Sequence, residues 1–187
     1  MPSETNLTNH FLIAMPGLED PNFFHTVTYI CEHTSDGAMG IVINRPMDLH
    51  LADIFEQLEI KISSTKISEQ LVYLGGPVQS DRGFVLHDSS TEWNSTLKIT
   101  SEISVTTSLD ILEAIATDKG PAENLIALGY AGWGAGQLES ELAQNAWLSG
   151  PAKSDIIFNR SSQERWQAAA DLLGVDLNLL SSDTGHA

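Results

Sequence analysis

Two short triplets and one histidine in this 187-residue chain combine residue types that could do chemistry. In Cys31-Glu32-His33 a thiol stands two residues from an imidazole, and a nearby imidazolium lowers a thiol pKa enough to make a nucleophile. On a regular strand Cys31 and His33 share one face while Glu32 points to the other. The competing reading is that Cys31, as a lone cysteine, fills a small apolar place in the core. In Asn44-Arg45-Pro46 the guanidinium belongs to one of only nine Lys and Arg residues, and its planar fork of donors suits a carboxylate. His87, followed by Asp88, is a second imidazole at the end of an apolar run.

The longest candidate stretch is Gly129-Tyr-Ala-Gly-Trp-Gly-Ala-Gly-Gln-Leu-Glu139. The apolar run Leu125–Leu128 enters it as a strand, and a helical pattern from Leu138 to Trp147 leaves it. A strand, a glycine loop and a helix are a common frame for a binding site. Loop N–H groups around Gly132, Gly134 and Gln137 would hold a ligand, and Tyr130 or Trp133 would stack on it. The stretch fails the phosphate fingerprints, because the third glycine of G-x-G-x-x-G is missing and no G-K-[ST] follows. Glu139 and Glu141 in the early turns would also repel an anion. The alternatives are a site for a neutral or cationic ligand, or a tight connection with close backbone packing.

Other chemistries find less support. Neither H-E-x-x-H nor C-x-x-C occurs, so no metal site is read, and no cofactor motif is present. G-x-S-x-G is absent, and the S-x-x-K matches at Ser63/Lys66 and Ser95/Lys98 lack a K-T-G partner.

The elements that must position these residues follow from periodicity and turn chemistry. Strands are expected at 11–15, 25–33, 38–43, 71–74, 83–87 and within 97–107, with Thr34-Ser-Asp-Gly37 closing a hairpin and 83–87 lying beside 71–74. Leu51, Ile54, Phe55 and Leu58 follow the spacing of a helix that Asp48 could cap, and Lys61–Gln70 is expected as a surface connection. Ser108 opens a second helix that Gly120-Pro121 ends, and a third runs from 138 to 147. Asp155–Phe158 reads as a strand. Ser161 and Glu164 form a capping box before a last helix that Gly174 stops. About eight strands and four helices result, with strands concentrated in the first hundred residues, so the class is α+β and residues 1–187 are expected to form one domain.

Composition sets the outer limits. A formal charge of −16 and dispersed basic residues disfavour direct nucleic-acid binding and anionic membrane surfaces. No apolar run reaches the roughly 20 residues that span a bilayer, no signal peptide is evident, and one cysteine fits a reducing compartment. The expected location is the cytoplasm.

Several separate segments resemble the YqgE/AlgH family of bacterial proteins. They include Phe11-Leu-Ile-Ala-Met-Pro16, Cys31-Glu-His33, Gly37-Ala-Met-Gly40, Asn44-Arg-Pro46, Gly75-Gly-Pro-Val78 and Leu86-His87. Gly129-Tyr-Ala-Gly-Trp133, Gly136-Gln-Leu-Glu139, Asn145-Ala-Trp-Leu148 and Gly185-His-Ala187 complete the series. The resemblance implies an α+β fold whose bent sheet closes into a partial barrel with helices around it. It implies no established catalytic residues. The family is often labelled as transcriptional regulators, which sits badly with the acidic charge and the lack of a helix-turn-helix pattern.

The leading expectation is a cytoplasmic binding or regulatory module acting through a small molecule or a protein partner. Its ligand-binding residues would be Cys31, His33, Asn44, Arg45, His87, Tyr130, Gly132, Trp133, Gly134 and Gln137, converging in one cleft. The alternative is an enzyme working through Cys31, His33 or His87, and a third reading is a direct DNA-binding regulator.

Overall fold

A computed structural model describes residues 6–63, 65–177 and 179; the closing Gly185-His-Ala187 lies outside them. The chain builds β1 (His10–Ala14), β2 (Val27–Thr34), β3 (Gly37–Val42) and β4 (Pro46–His50), then α1 (Leu51–Gln57) and α2 (Thr65–Ser68). There follow β5 (Leu71–Leu74), β6 (Val78–Asp88), β7 (Thr96–Lys98), β8 (Ile103–Thr106) and α3 (Leu109–Ala116). The last third holds β9 (Asn124–Gly134), α4 (Gln137–Ala143), β10 (Trp147–Pro151), α5 (Ser154–Phe158) and α6 (Ser162–Leu172).

The strands join in the order β10-β1-β2-β3-β9-β6-β8-β7, and the sheet curls into a half-barrel with the helices packed on it. The class is α+β, as expected. β9 is the central strand. Its first half lies between β5, which it meets in parallel at Ile126–Leu128, and β6, which it meets antiparallel. Its second half pairs with β3 from Ala131 to Gly134. The switch between partners falls at Gly129, whose φ of 79° is open to glycine at little cost. A Cβ there would stand 2.4 Å from the carbonyl oxygen of Gly76, so two backbones cross in contact.

The curled sheet sorts the apolar residues into three clusters. Phe11, Tyr29, Cys31, Ile41 and Leu86 lie in the first, against which Trp166 of α6 packs. Leu51, Phe55, Ile111 and Ile126 form the second, beneath α1 and α3. Leu12, Ile30, Trp133, Leu138 and Trp147 form the third, beneath α4.

Several elements differ from the sequence reading. The glycine stretch is not a loop, because β9 continues to Gly134 and its later backbone is paired with β3. The helix that follows stops at Ala143, since Asn145 takes a left-handed φ of 61°, and Trp147 opens β10 instead. Residues 155–158 form part of a helix rather than a strand. A run of three apolar residues fits a buried helical turn as well as a strand, and Ile156 and Ile157 are both buried. β6 lies beside β9 and β8, not beside β5. Asp48 does not cap α1; Asp53 accepts from the His50 N–H at 2.9 Å instead. The 61–70 connection contains the short α2.

Candidate functional site

An open cleft of about 610 Å³ lies where the β2–β3 hairpin, the start of β6 and the end of β9 meet. Two irregularities in the sheet shape it. In β2 the pairing to β3 slips between Ile30 and Glu32, leaving Cys31 as an extra residue. In β6 residues 79–82 bulge out, because Val78 pairs with Tyr130 and Gly83 already with Leu128. A bulge bends its strand and re-aims the side chains beside it.

The β2 bulge decides which residues share the cleft. Glu32 pairs with Met39, and Met39 with Gly132, so these three form one row across the cleft face. His33, Ala38 and Trp133 form the next row, which faces the other way. Cys31 belongs to the first core cluster, while His33 is buried beside Leu7 and Glu139. The expectation that Cys31 and His33 share a face is therefore wrong, since the extra residue reverses the alternation.

The cleft walls are chemically mixed. Glu32 and Asp36 supply carboxylates from the hairpin. Opposite them, the β6 bulge presents Arg82, which donates to Gln79 Oε1 at 3.3 Å and lies 5.5 Å from the centre of the Phe84 ring. Phe84 and Tyr130 meet edge to face at 5.6 Å. Gly132 leaves open floor, because a Cβ there would touch only Tyr130 Cε2 at 3.4 Å and Val78 Cγ2 at 4.0 Å. The arrangement suits a small flat ligand, with an aromatic face, hydrogen-bonding groups on both sides and excess negative charge on the hairpin wall.

Of the ten residues expected to converge, Tyr130, Gly132 and Trp133 reach this cleft. Trp133 does so with its indole buried in the third cluster, where Nε1–H donates to Glu141 Oε1 at 3.0 Å and the ring stacks on Phe23. It is not free to stack on a ligand. Gly134 and Gln137 sit just beyond, where the Gln137 Oε1 accepts from the Gly134 N–H at 3.0 Å and ends the strand.

The other five stand elsewhere. Cys31 is 2% exposed, its Sγ 3.9 Å from the Tyr29 carbonyl, and burial with the Glu32 charge beside it pushes its thiol pKa up. A nucleophilic role needs the opposite shift and an accessible sulfur. His33 accepts from the Leu7 N–H through Nδ1 at 3.0 Å, so its Nε2–H points to Glu139 Oε2 at 3.4 Å. Asn44 clamps the start of β2, accepting from the Val27 N–H and donating to the His25 carbonyl, each at 2.9 Å. Arg45 donates to the carbonyls of Pro21 and Phe24 at 2.6 and 3.1 Å and secures that turn rather than facing the end of β9.

His87 is fully buried. Its Nδ1 lies 2.7 Å from the Asp88 carbonyl, which can only accept, so Nε2 accepts from the Thr106 hydroxyl at 2.7 Å. Burial lowers its pKa against the opposing effect of that Asp88 contact.

Sequence reasoning missed Arg82, Gln79 and Met39. The available signal was the scarcity of cations, which singled out Arg45 but applied equally to Arg82. Among the described residues no three His, Cys, Asp or Glu cluster to hold a metal ion, and no helix is long and apolar enough to cross a membrane.

Comparison with known proteins places the chain. A family model described as AlgH-like (DUF179) matches residues 11–178. A UPF0301 protein of Thioalkalivibrio sulfidiphilus is 60% identical over the full length of both chains. Another from Pseudomonas fluorescens is 54% identical, covering 99% of this chain and 98% of its own. The solution structure of AlgH from Pseudomonas aeruginosa superposes with a TM-score of 0.81 at 53% identity, covering 97% of this chain and 96% of that one. A Corynebacterium diphtheriae protein, DIP2367, shares the fold with a TM-score of 0.75 at 18% identity, covering 97% of this chain and 94% of its own. The curled α+β sheet, the sequence segments and these matches agree: the chain belongs to the AlgH-like, UPF0301 family.

Proposed function

We propose that the protein is a cytoplasmic binding or regulatory module that acts through a small molecule held in the hairpin cleft. The observation carrying this reading is the convergence there of two bulged strands on an open floor at Gly132, between Glu32 and Asp36 on one wall and Arg82 on the other. Bulges recur next to active sites, where they re-aim side chains, and two of them border this one cleft. Any regulatory effect would be indirect. A charge of −16 opposes contact with DNA, so a ligand-dependent protein contact is the favoured route.

The test is an amide NMR titration of the labelled protein with a pooled cytoplasmic metabolite extract. Shifts are expected at Glu32–Met39, Gln79–Phe84 and Tyr130–Gly132, and Gly132→Val, which fills the floor, should abolish them while leaving the remaining spectrum in place. A spectrum silent at all three segments, or shifts that survive Gly132→Val, would remove the reading.

A further inference from the structure

Arg165, on α6, is a cation buried without a counter-ion. It is 5% exposed, yet no carboxylate of the described residues lies within ion-pair reach of it. Its Nε–H donates to the Ile156 carbonyl at 3.0 Å, and one NH1 hydrogen goes to the Ile43 carbonyl. A guanidinium carries five N–H donors, so three are left without an acceptor among the described residues. The Tyr73 ring lies 5.1 Å from Cζ and steadies the charge. Burying a cation without a counter-ion is costly, and the free N–H edge of Arg165 is still open to the outside, since Thr28 Oγ1 is the one fully buried side-chain polar atom without a partner among the described residues.

The surroundings say where that anion would sit. Arg165 and Tyr73 line a cleft of about 290 Å³, far along the sheet from the hairpin and lined by none of its residues. Leu71, Leu125 and Phe158 give it an apolar side. Glu123 lines it too, with Oε2 accepting from Asn159 at 3.2 Å and no cation of the described residues in ion-pair reach. One buried cation and one carboxylate in the same small cleft suit a ligand carrying both charges. A multiply charged phosphate would meet Glu123 and the field of the whole acidic chain.

We infer that this cleft binds a small zwitterion of the amino-acid class with an aliphatic side chain. Its carboxylate takes the free N–H edge of Arg165, its ammonium faces Glu123, and its side chain lies on Leu71, Leu125 and Phe158. The site is independent of the hairpin cleft, so either can fail alone.

The experiment is an NMR titration of the full labelled chain, following the Arg165 Nε–H signal and the amides of Glu123–Leu125. L-leucine is the first probe. The controls are 4-methylpentanoate, which keeps the skeleton and carboxylate but lacks the ammonium, and inorganic phosphate. Leucine should give saturable shifts, 4-methylpentanoate should bind at least about tenfold more weakly, and phosphate should give none, since each charged contact contributes that order of affinity. Ala122 is exposed and lines the cleft, so Ala122→Trp should block leucine while leaving residue 165 itself unsubstituted. Its spectrum away from the cleft reports that the variant is folded, which Arg165→Gln alone would not guarantee. No saturable shift with leucine, shifts that Ala122→Trp leaves unchanged, equal binding of the desamino acid, or tighter binding of phosphate would each overturn the inference.

Discussion

Trp133 and Glu141 are joined by a hydrogen bond of 3.0 Å from the indole Nε1–H to Oε1, and the same oxygen accepts from Trp147 at 2.9 Å. Oε2 takes the Gln137 amide at 2.9 Å. One carboxylate of α4 thus fixes two indoles belonging to two different strands. Glu141→Ala would leave both N–H groups without an acceptor and should cost about 2–3 kcal/mol, in line with bonds to a charged acceptor. Glu141→Gln, which keeps an acceptor oxygen, should cost less. Urea unfolding gives both values, and near-ultraviolet dichroism reports the indoles directly. Equal stability of Glu141→Ala and the natural chain would show that the shared oxygen contributes little.

Cys31 should behave as a core thiol. Iodoacetamide at neutral pH should leave it unmodified in the folded protein and react once urea unfolds the chain, because the sulfur is buried and its pKa is raised. Mass spectrometry of the intact protein reads the outcome. Rapid alkylation without denaturant would reinstate the cysteine enzyme.

Histidine burial predicts a stability that falls with acid. The pKa of His87 is lowered by desolvation, and that of His25, which stacks on Trp166 at 4.0 Å, shifts the same way. The unfolded chain takes up protons near pH 6.5, whereas the folded chain takes them up only below that. The stabilisation is therefore fully present above about pH 6.5 and is lost as pH falls through the folded values, at no more than about 1.4 kcal/mol per pH unit for His87 and at less for the partly exposed His25, where solvent screens the effect. Urea midpoints at pH 7.5, 6.5 and 5.5 should fall in that order, and His87→Gln should flatten the trend. An unchanged slope in the variant would assign the effect elsewhere.

The glycines of β9 should not be equivalent. Gly129→Ala puts a Cβ into the Gly76 carbonyl at a positive φ and should cost about 3 kcal/mol or more. Gly134→Ala meets only Gln137 Oε1 at 3.9 Å and should shift stability by less than about 1 kcal/mol. Thermal unfolding of the two variants side by side separates backbone crossing from simple glycine content.

The sequence made some of this visible and hid the rest for identifiable reasons. The 34–37 hairpin, the helix starts after Ser108 and Ser161 and the Gly174 stop are legible because turn and helix-end preferences are local, but the expected capping box does not form: neither serine side chain caps its helix, and the Ser161 hydroxyl donates to Glu164 Oε1 instead. The family resemblance carried the curled sheet. The faces of β2 were not legible, since one extra residue at Cys31 reverses the alternation and depends on β3 pairing. Gly129–Gly134 read as a loop because its partner strand lies some ninety residues earlier, and no local signal marks pairing at that distance. Arg45 stands out as a carboxylate anchor from residue type alone. Arg165 does not stand out between Glu164 and Trp166, where a charged residue on an amphipathic helix looks solvated, although its guanidinium turns inward to Ile43 and Ile156.

β9 serves β3, β5 and β6 at once, and it is made late. Until Asn124–Gly134 leaves the ribosome, those three strands each expose an edge that no earlier residue covers, and β1 waits longer still for β10. Sheet completion is therefore a late, long-range event with a large loop-closure cost, the pattern of slow folding and of transiently open strand edges. A nascent chain stalled before residue 124 should remain sensitive to protease and bind holdase chaperones, and release of the segment from β9 to α6 should close the sheet in one cooperative step.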